Sequence, residues 1–226
     1  MDKRAMWNEM ISVIKQDVTP ATGCTEPIAL AYAAATAARE LGEPVRFVDG
    51  WVSANLMKNG MGVTVPGTGM PGLYIAAAVG ALGGDADAGL QVLKALTPDV
   101  VALGKQYVAD GKITVSVRED TPHVLYAEAV VYGENHRVRV VITDDHTNIV
   151  FIEKDGKVLR DQRVEGGSGE DPKIAFLHTL TLADIVDFAE QVPLEDLAFL
   201  KEAERLNDHL SQEGLTGKYG LKIDLY

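Results

Sequence analysis

The sequence predicts an α+β fold, in which helices pack against an antiparallel or mixed β-sheet. Apolar residues recur at helical spacing near both ends of the chain, and short β-branched or alternating runs fill its middle. The chain has 226 residues, of which 46% are hydrophobic and 24% are charged, so it can bury one sizeable core or two smaller ones.

The amino-terminal part of the chain predicts two helices and a strand. Apolar spacing predicts the first helix over residues 5–16, and it ends before Pro20 because proline disfavours helix in the residue that precedes it. The second helix is predicted over residues 27–41, opened by a proline and closed by Gly42. It is rich in alanine, and small side chains let neighbouring backbone approach closely, so we expect it to be deeply packed. Partial alternation over residues 44–52 predicts a strand.

The rest of the chain predicts helices, then strands, then helices again. After a glycine-threaded segment, helices are predicted over residues 72–82, 86–96 and 98–109. Strands are predicted over residues 112–118, 124–132, 137–143, 149–153 and 158–163. Turn residues between these runs indicate antiparallel hairpins. Two amphipathic helices follow, one around residues 182–189 and one over residues 197–210.

A polar, glycine-rich run over residues 165–172 is the best candidate for an internal boundary. We therefore predict an α+β body over residues 1–164, which contains Cys24 and a glycine-rich loop, and a helical segment over residues 165–226. No internal repeat and no low-complexity segment stands out in the sequence.

Charge and composition exclude several classes of partner. The net charge is −12 and no basic cluster occurs, so we expect no nucleic-acid partner. The most apolar stretch, residues 73–82, is too short to span a bilayer, so we expect no membrane association. Residues 1–17 have helix-like charge spacing and do not resemble a secretory signal. A single cysteine excludes an internal disulfide, and a cytoplasmic protein is the expectation.

Cys24 is the first candidate for a chemical role, since it lies just before a helix that Pro27 opens. A thiolate at a helix N-terminus is stabilised by unpaired N–H groups and the helix dipole, which predicts a lowered pKa. That position suits a metal ligand, a nucleophile or a base. The alternative is a small buried hydrophobe, the usual role of a lone cysteine, although the polar neighbours Thr25 and Glu26 argue against it.

The glycine-threaded segment, residues 55–72, is the second candidate. It has five glycines within residues 60–72 and leads into an apolar helix, so its backbone N–H groups can converge on an anion. Lys58 adds a positive charge, and a substrate carboxylate or a phosphate would fit. Residues 67–72 match the dinucleotide pattern G-x-G-x-x-G, but no βαβ unit surrounds them, and we discount a nucleotide site. The segment can also be a tight structural loop.

The run Asp144-Asp145-His146-Thr147-Asn148, between two predicted strands, is the third candidate. Its imidazole, hydroxyl and amide groups can bind a substrate or transfer a proton. The same residue types are ordinary turn formers between β-strands, and without further context the turn is the favoured interpretation.

Five segments of the chain together resemble one family: the iron–sulfur L-cysteine desulfidases and the alpha part of bacterial L-serine dehydratase, with related uncharacterised proteins. The matching segments, in chain order, are Gly23-Cys24-Thr25-Glu26-Pro27-Ile28-Ala29, Asn55-Leu56-Met57-Lys58-Asn59-Gly60, Val63-Thr64-Val65-Pro66-Gly67-Thr68-Gly69, His146-Thr147-Asn148-Ile149-Val150 and Leu210-Ser211-Gln212-Glu213-Gly214-Leu215. They span nearly the whole chain, so the resemblance is specific.

The resemblance implies an oxygen-sensitive 4Fe-4S cluster and a lyase that eliminates sulfide from L-cysteine, or water from L-serine, to give pyruvate and ammonia. It implies that Cys24 is a metal (cluster) ligand or an active-site thiolate. We hypothesise that Lys58 and the glycine segment hold the substrate carboxylate and that His146, or Cys24, takes the α-proton. Substrate-binding residues are expected at Thr25, Glu26, Asn59, Gly67, Thr68, Gly69, Thr147 and Asn148.

The resemblance also predicts partners. Family members are about twice as long as this chain, and their other cluster cysteines lie in the carboxy-terminal half, so this chain resembles the amino-terminal half. Besides a small amino-acid substrate, we expect a carboxy-terminal-half chain or a second copy in a homo-oligomer. The alternative function is a non-catalytic module that uses the glycine loop to bind a small amino acid or another carboxylate.

Overall fold

The computed structural model describes residues 2–21, 23–163 and 172–216. The chain divides into two compact units: the sheet unit comprises Ala21–Val164, and the helical unit comprises Met1–Pro20 together with Glu165–Tyr226. The sequence instead predicts one body over residues 1–164. The predicted linker lies outside the described residues except for Pro172, and so do residues 217–226 of the predicted helical segment.

Helices and strands alternate irregularly along the chain, as α+β folds do. The helices of the described residues are α1 (Lys3–Asp17), α2 (Thr25–Leu41), α3 (Ala54–Gly60), α4 (Leu73–Gly83), α5 (Pro98–Ala109), α6 (Pro172–His178), α7 (Leu182–Gln191) and α8 (Leu200–Leu215). The strands are β1 (Phe47–Val52), β2 (Thr64–Val65), β3 (Met70–Pro71), β4 (Ile113–Val117), β5 (Tyr126–Tyr132), β6 (Arg137–Thr143), β7 (Ile149–Lys154) and β8 (Lys157–Asp161). Within the described ranges, no helix has both the length and the apolar composition of a membrane span.

A six-stranded mixed sheet organises the sheet unit, which confirms the predicted α+β class. Its strand order is β4-β1-β5-β6-β7-β8. The pair β1–β4 is parallel, whereas the other four pairs are antiparallel. Strands β2 and β3 form a separate two-stranded sheet at the glycine-threaded segment. The predicted hairpins between β5 and β8 are therefore confirmed.

Helices α2 and α4 pack against one face of the sheet and against each other. The alanines of α2 are almost all fully buried, as predicted from their small side chains. A Cβ atom on Gly80 of α4 would lie 2.4 Å from the carbonyl oxygen of Ala31, so the two helix backbones are in direct contact. A Cβ atom on Gly50 of β1 would lie 3.5 Å from Leu30 of α2. The amino end of α2 is thus held firmly by a buried core.

Two local predictions were wrong. Residues 54–60, predicted as part of a loop, form helix α3, because the Ser53 hydroxyl accepts a hydrogen bond from the backbone N–H of Leu56 and caps it. The helix predicted over residues 86–96 is a short 3₁₀ turn, Gly89–Gln91, within a loop. Gly89 has φ +52, and the backbone N–H of Asp85 donates to the carbonyl of Val92, so the chain folds back on itself there.

The helical unit is built around Trp7 of α1. The ring of Trp7 meets that of Phe188, on α7, edge to face, with the two centroids 6.3 Å apart. Met10, Ile11 and Val192 complete this small core. The apolar face of α1 predicted from the sequence is therefore covered by the helices beyond residue 172, which explains why residues 2–17 group with them.

Candidate functional site

Cys24 lies at the amino end of α2, where it is the residue that precedes the first helical turn. Its side chain is exposed, and its Sγ lies 2.9 Å from Oε2 of Glu26. The side-chain amide of Asn59, on α3, donates a hydrogen bond of 3.1 Å to Oε1 of the same carboxylate. A thiol, a carboxylate and an amide therefore form one connected group between two helices.

The charges within this group favour a protonated thiol. Partial burial, and then the hydrogen bond with Glu26, raise the pKa of Cys24 above its ordinary value. Burial alone would also raise the pKa of Glu26, but hydrogen bonds from Cys24 and Asn59, together with the electrostatic effect of His146, lower it. The prediction that the helix N-terminus lowers the pKa of Cys24 was wrong, because partial burial and the neighbouring carboxylate both disfavour the thiolate.

His146 completes the site, which we call the Cys24 cluster: Cys24, Glu26, Asn59 and His146. It lies half-buried in the turn between β6 and β7, close enough to Glu26 to lower the pKa of that carboxylate electrostatically. Residues 120 positions apart in sequence thus share one electrostatic environment. The imidazole is the group of this cluster best suited to proton transfer.

Thr147 and Asn148 form the turn that carries His146. The backbone N–H and the hydroxyl of Thr147 both donate to Oδ1 of Asp145, each at 2.9 Å. The side-chain amide of Asn148 donates to the carbonyl of Thr143 at 3.1 Å. These contacts fit the turn interpretation, in which polar side chains fold the loop and hold His146 in place. Substrate binding by Thr147 and Asn148 stays a prediction.

The glycine loop between β2 and β3 lies beside the loop that holds Cys24. A Cβ atom on Gly23 would lie 2.9 Å from Cγ of Pro66, so only glycine fits at that position. Gly67 and Gly69 are exposed and have φ values of +76 and +62. Thr68 between them is buried, and its hydroxyl lies 2.8 Å from the carbonyl oxygen of Val65 and accepts from the N–H of Met70 at 3.0 Å. Thr68 thus shapes the loop and leaves the two glycines at its surface.

Lys58 and Thr25 border this region on α3 and α2. Lys58 is exposed and directly precedes Asn59, the residue that bonds to Glu26. Thr25 is half-buried in the first turn of α2, between Cys24 and Glu26. The structure therefore brings Cys24, Glu26, Asn59 and His146 together, with the glycine loop against Gly23. The described contacts do not connect Lys58 to this cluster.

One buried ionic group was missed from the sequence. Glu128 of β5 is 2% exposed and receives hydrogen bonds of 2.8 Å from both Arg118 and Arg139, and a further one from the Tyr126 hydroxyl. Burial, and then the Glu128 carboxylate, raise the pKa of Tyr126 to about 12. The sequence pattern that could have indicated this group is a glutamate two residues after a tyrosine in an otherwise apolar strand, because that spacing places both side chains on one face of the sheet. Every bond of Glu128 is internal, so the group stabilises the sheet.

The residues present do not fit a complete 4Fe-4S cluster. Such clusters are held by several cysteine thiolates, usually four, whereas the sequence has one cysteine. Across residues 2–21, 23–163 and 172–216, no group of three or more His, Cys, Asp or Glu side chains is arranged to hold a metal ion. Cys24 can supply one ligand at most, and a metal role for it stays a prediction.

The fold and this site together define an α+β protein with a thiol–carboxylate group at the amino end of a buried helix. No protein-family model matches the chain. The chain is 53% identical over 218 residues to a protein of Chromobacterium violaceum named UPF0597 protein, a match that covers 96% of this chain and 50% of that protein. It is 48% identical over 219 residues to UPF0597 protein YhaM of Escherichia coli K12, again over 96% of this chain and 50% of the relative.

The chain thus spans about half the length of the curated relatives it matches. At about 50% identity, its homologues are UPF0597 proteins. Neither name states an activity, so the resemblance to cysteine desulfidases and serine dehydratase stays a prediction.

Proposed function

We propose that this chain provides the thiol-bearing and substrate-holding part of a lyase that eliminates sulfide from L-cysteine, or water from L-serine. The single observation that carries this proposal is the Cys24 cluster, in which a thiol, a carboxylate and an amide are hydrogen-bonded beside a glycine loop, and the His146 imidazole lies near enough to lower the pKa of the carboxylate. A purely structural cysteine would be expected in the apolar core, whereas Cys24 is exposed.

The reaction needs a base for the α-proton. The Cα–H bond of the amino acid breaks as the proton moves to the base, and the electron pair forms the Cα–Cβ double bond while the Cβ–S or Cβ–O bond breaks. The protonated Cys24 thiol is suited to donate the proton with which the leaving group departs as hydrogen sulfide or water. The resulting aminoacrylate tautomerises to an imine that water hydrolyses to pyruvate and ammonia. We assign the base to His146, because the raised pKa of Cys24 keeps its thiol protonated near neutral pH.

The other residues of the site position the substrate. The exposed backbone of Gly67 and Gly69 and the ammonium group of Lys58 are suited to the substrate carboxylate. The Glu26 carboxylate, held by Asn59, is suited to the substrate ammonium group and to orienting the Cys24 thiol. We propose no step that passes through an iron–sulfur cluster, because its further ligands would have to come from polypeptide other than this sequence.

The test is sulfide and pyruvate formation from L-cysteine after anaerobic iron–sulfur reconstitution. The chain is assayed alone and with the half of the Chromobacterium violaceum relative that it does not match. Sulfide and pyruvate in equal amounts, in either arm, support the lyase. If neither arm forms products but L-cysteine or L-serine raises the Tm of the chain, the carboxylate-binding module is the better account and the lyase proposal fails.

A further inference from the structure

Two stripes of apolar side chains in the helical unit face solvent. On α7, Leu182, Ile185 and Val186 are 76%, 47% and 46% exposed. On α8, Leu206 and Leu210 are 37% and 70% exposed. An adjacent part of the α7 surface already packs in the core of the unit, where Phe188 is buried against Trp7. The small core of this unit therefore does not cover these apolar side chains.

Helix α8 has the larger share of uncovered surface. It has 16 residues and none of them is buried. Its leucines at positions 206 and 210 are four residues apart and so lie on one side of the helix, in line with Ala203. Isolated helices of this length are marginal in water, and most helical stability in proteins comes from packing of an apolar face. A partner surface over this side of α8 would supply the missing packing.

We infer that the α7 and α8 stripes are docking surfaces for the half of the longer UPF0597-type polypeptides that this chain does not match. The relatives contain as much polypeptide again as the half that matches this chain, and the match covers 96% of the chain. A polypeptide of about the size of this chain can bury both stripes. This inference concerns assembly and holds whether or not the site is a lyase.

The charge of the chain favours the unmatched half of the relatives, rather than a second copy of the chain, as the partner at these stripes. Exposed carboxylates lie beside the stripes, at Glu190 on α7, four residues after Val186, and at Glu213 on α8, three residues after Leu210. The chain has a net charge of −12, so two copies joined through these faces would bring like charges together. The surface instead fits an apolar patch that lysine and arginine side chains surround.

The test is co-expression of the tagged chain with the unmatched half of the Chromobacterium violaceum relative. We expect a one-to-one complex in light scattering after size exclusion, and a Kd from titration of the separated halves. The double variant Leu206→Glu/Leu210→Glu should weaken binding by about tenfold to a hundredfold, since it places charges in an apolar contact. Val124→Glu is the matched control: Val124 is 73% exposed in the sheet unit, and this change should leave the Kd within about twofold.

Three results would overturn the inference. The first is absence of a complex with the unaltered chain. The second is equal weakening by the α8 double variant and by Val124→Glu. The third is self-association of the chain that the α8 double variant abolishes, which would identify a second copy as the occupant. Circular dichroism of each variant separates loss of binding from loss of helix. No lyase activity enters the readout, so this test and that of the proposed function fail independently.

Discussion

Within the Cys24 cluster, the decisive contact joins Cys24 to Glu26. A thiol 2.9 Å from a carboxylate keeps its proton, because ionisation would place two negative charges side by side. The amide of Asn59 fixes the other carboxylate oxygen, so Glu26 is oriented toward Cys24. Partial burial of Cys24, together with this neighbouring carboxylate, therefore outweighs its position at a helix N-terminus.

The pH dependence of thiol alkylation checks this contact. The pKa of Cys24 is raised, so alkylation by iodoacetamide should rise with pH through a midpoint above that of an ordinary thiol. Glu26→Gln removes the negative charge, so the midpoint should move to lower pH and the rate at pH 7.5 should increase. Glu134→Gln, at an exposed carboxylate that pairs with Arg46, should change neither. An unchanged midpoint in Glu26→Gln would contradict the assigned contact.

Lys58 gives a separate kinetic prediction. If its ammonium group holds the substrate carboxylate, Lys58→Ala should raise KM about tenfold and change kcat little, because both ground state and transition state lose the same interaction. Lys105→Ala, at another exposed lysine of the sheet unit, serves as the control. Steady-state kinetics of pyruvate formation measure both parameters. An unaltered KM in Lys58→Ala would remove Lys58 from the site.

Buried Glu128 predicts a large loss of stability. Glu128→Gln would remove the buried carboxylate that pairs with Arg118 and Arg139, whose side chains are 30% and 32% exposed, which should reduce the free energy of unfolding by about 1–3 kcal/mol. Glu153→Gln on strand β7 removes a longer contact, 3.6 Å, to the exposed Arg137 and should reduce it by less than about 1 kcal/mol. Urea unfolding of the two variants compares them, and equal losses would contradict the assignment.

Among the elements, the crossing of α2 and α4 carries the packing that positions Cys24. Gly80→Ala should destabilise the protein by about 1–3 kcal/mol, because its Cβ would clash with the backbone of Ala31. Gly214→Ala on α8 meets no atom within 4 Å and should be neutral, or stabilising by up to about 1 kcal/mol through helix propensity. Thermal unfolding followed by circular dichroism measures both. A stabilised Gly80→Ala protein would contradict the close crossing.

Elements with regular periodicity were predictable from the sequence. The helix over residues 98–109 and the strand over 137–143 have the predicted bounds, because their patterns repeat without interruption. The error over residues 86–96 arose because apolar residues there occur at helical spacing although Gly89 turns the chain. Helix α3 was missed because its signal is one serine cap at its start, while glycines dominate the segment that follows.

The candidate site was predictable in part. Cys24, Glu26, Asn59 and His146 were all named from the sequence, through the family resemblance and residue chemistry. Their arrangement was not predictable, since the bond from Asn59 to Glu26 joins residues 33 positions apart and depends on how α2 meets α3. The Glu128 group was missed for the same reason, because Arg139 reaches it from the adjacent strand β6 and Arg118 from the end of β4, which lies on the far side of β1.

At the scale of the whole molecule, the two units differ in the features that they contain. The sheet unit contains the Cys24 cluster and a fully covered core, whereas the helical unit exposes apolar stripes on α7 and α8. The chain has one cysteine, so an activity that requires an iron–sulfur cluster would need ligands from further polypeptide. The proposed catalysis and the proposed assembly can thus be tested separately.

The measurement that tests the central claim most directly is L-cysteine-dependent sulfide release by the reconstituted two-half complex, with Cys24→Ala and His146→Gln compared with the unaltered chain. The account predicts that each change lowers kcat at least about a hundredfold, the usual weight of a proton-transfer group, because His146 takes the α-proton and the Cys24 thiol donates a proton to the leaving group. Thr147→Val, in the same turn as His146, should cost less than about tenfold. Full activity in Cys24→Ala or in His146→Gln would contradict the claim that the Cys24 cluster carries the chemistry.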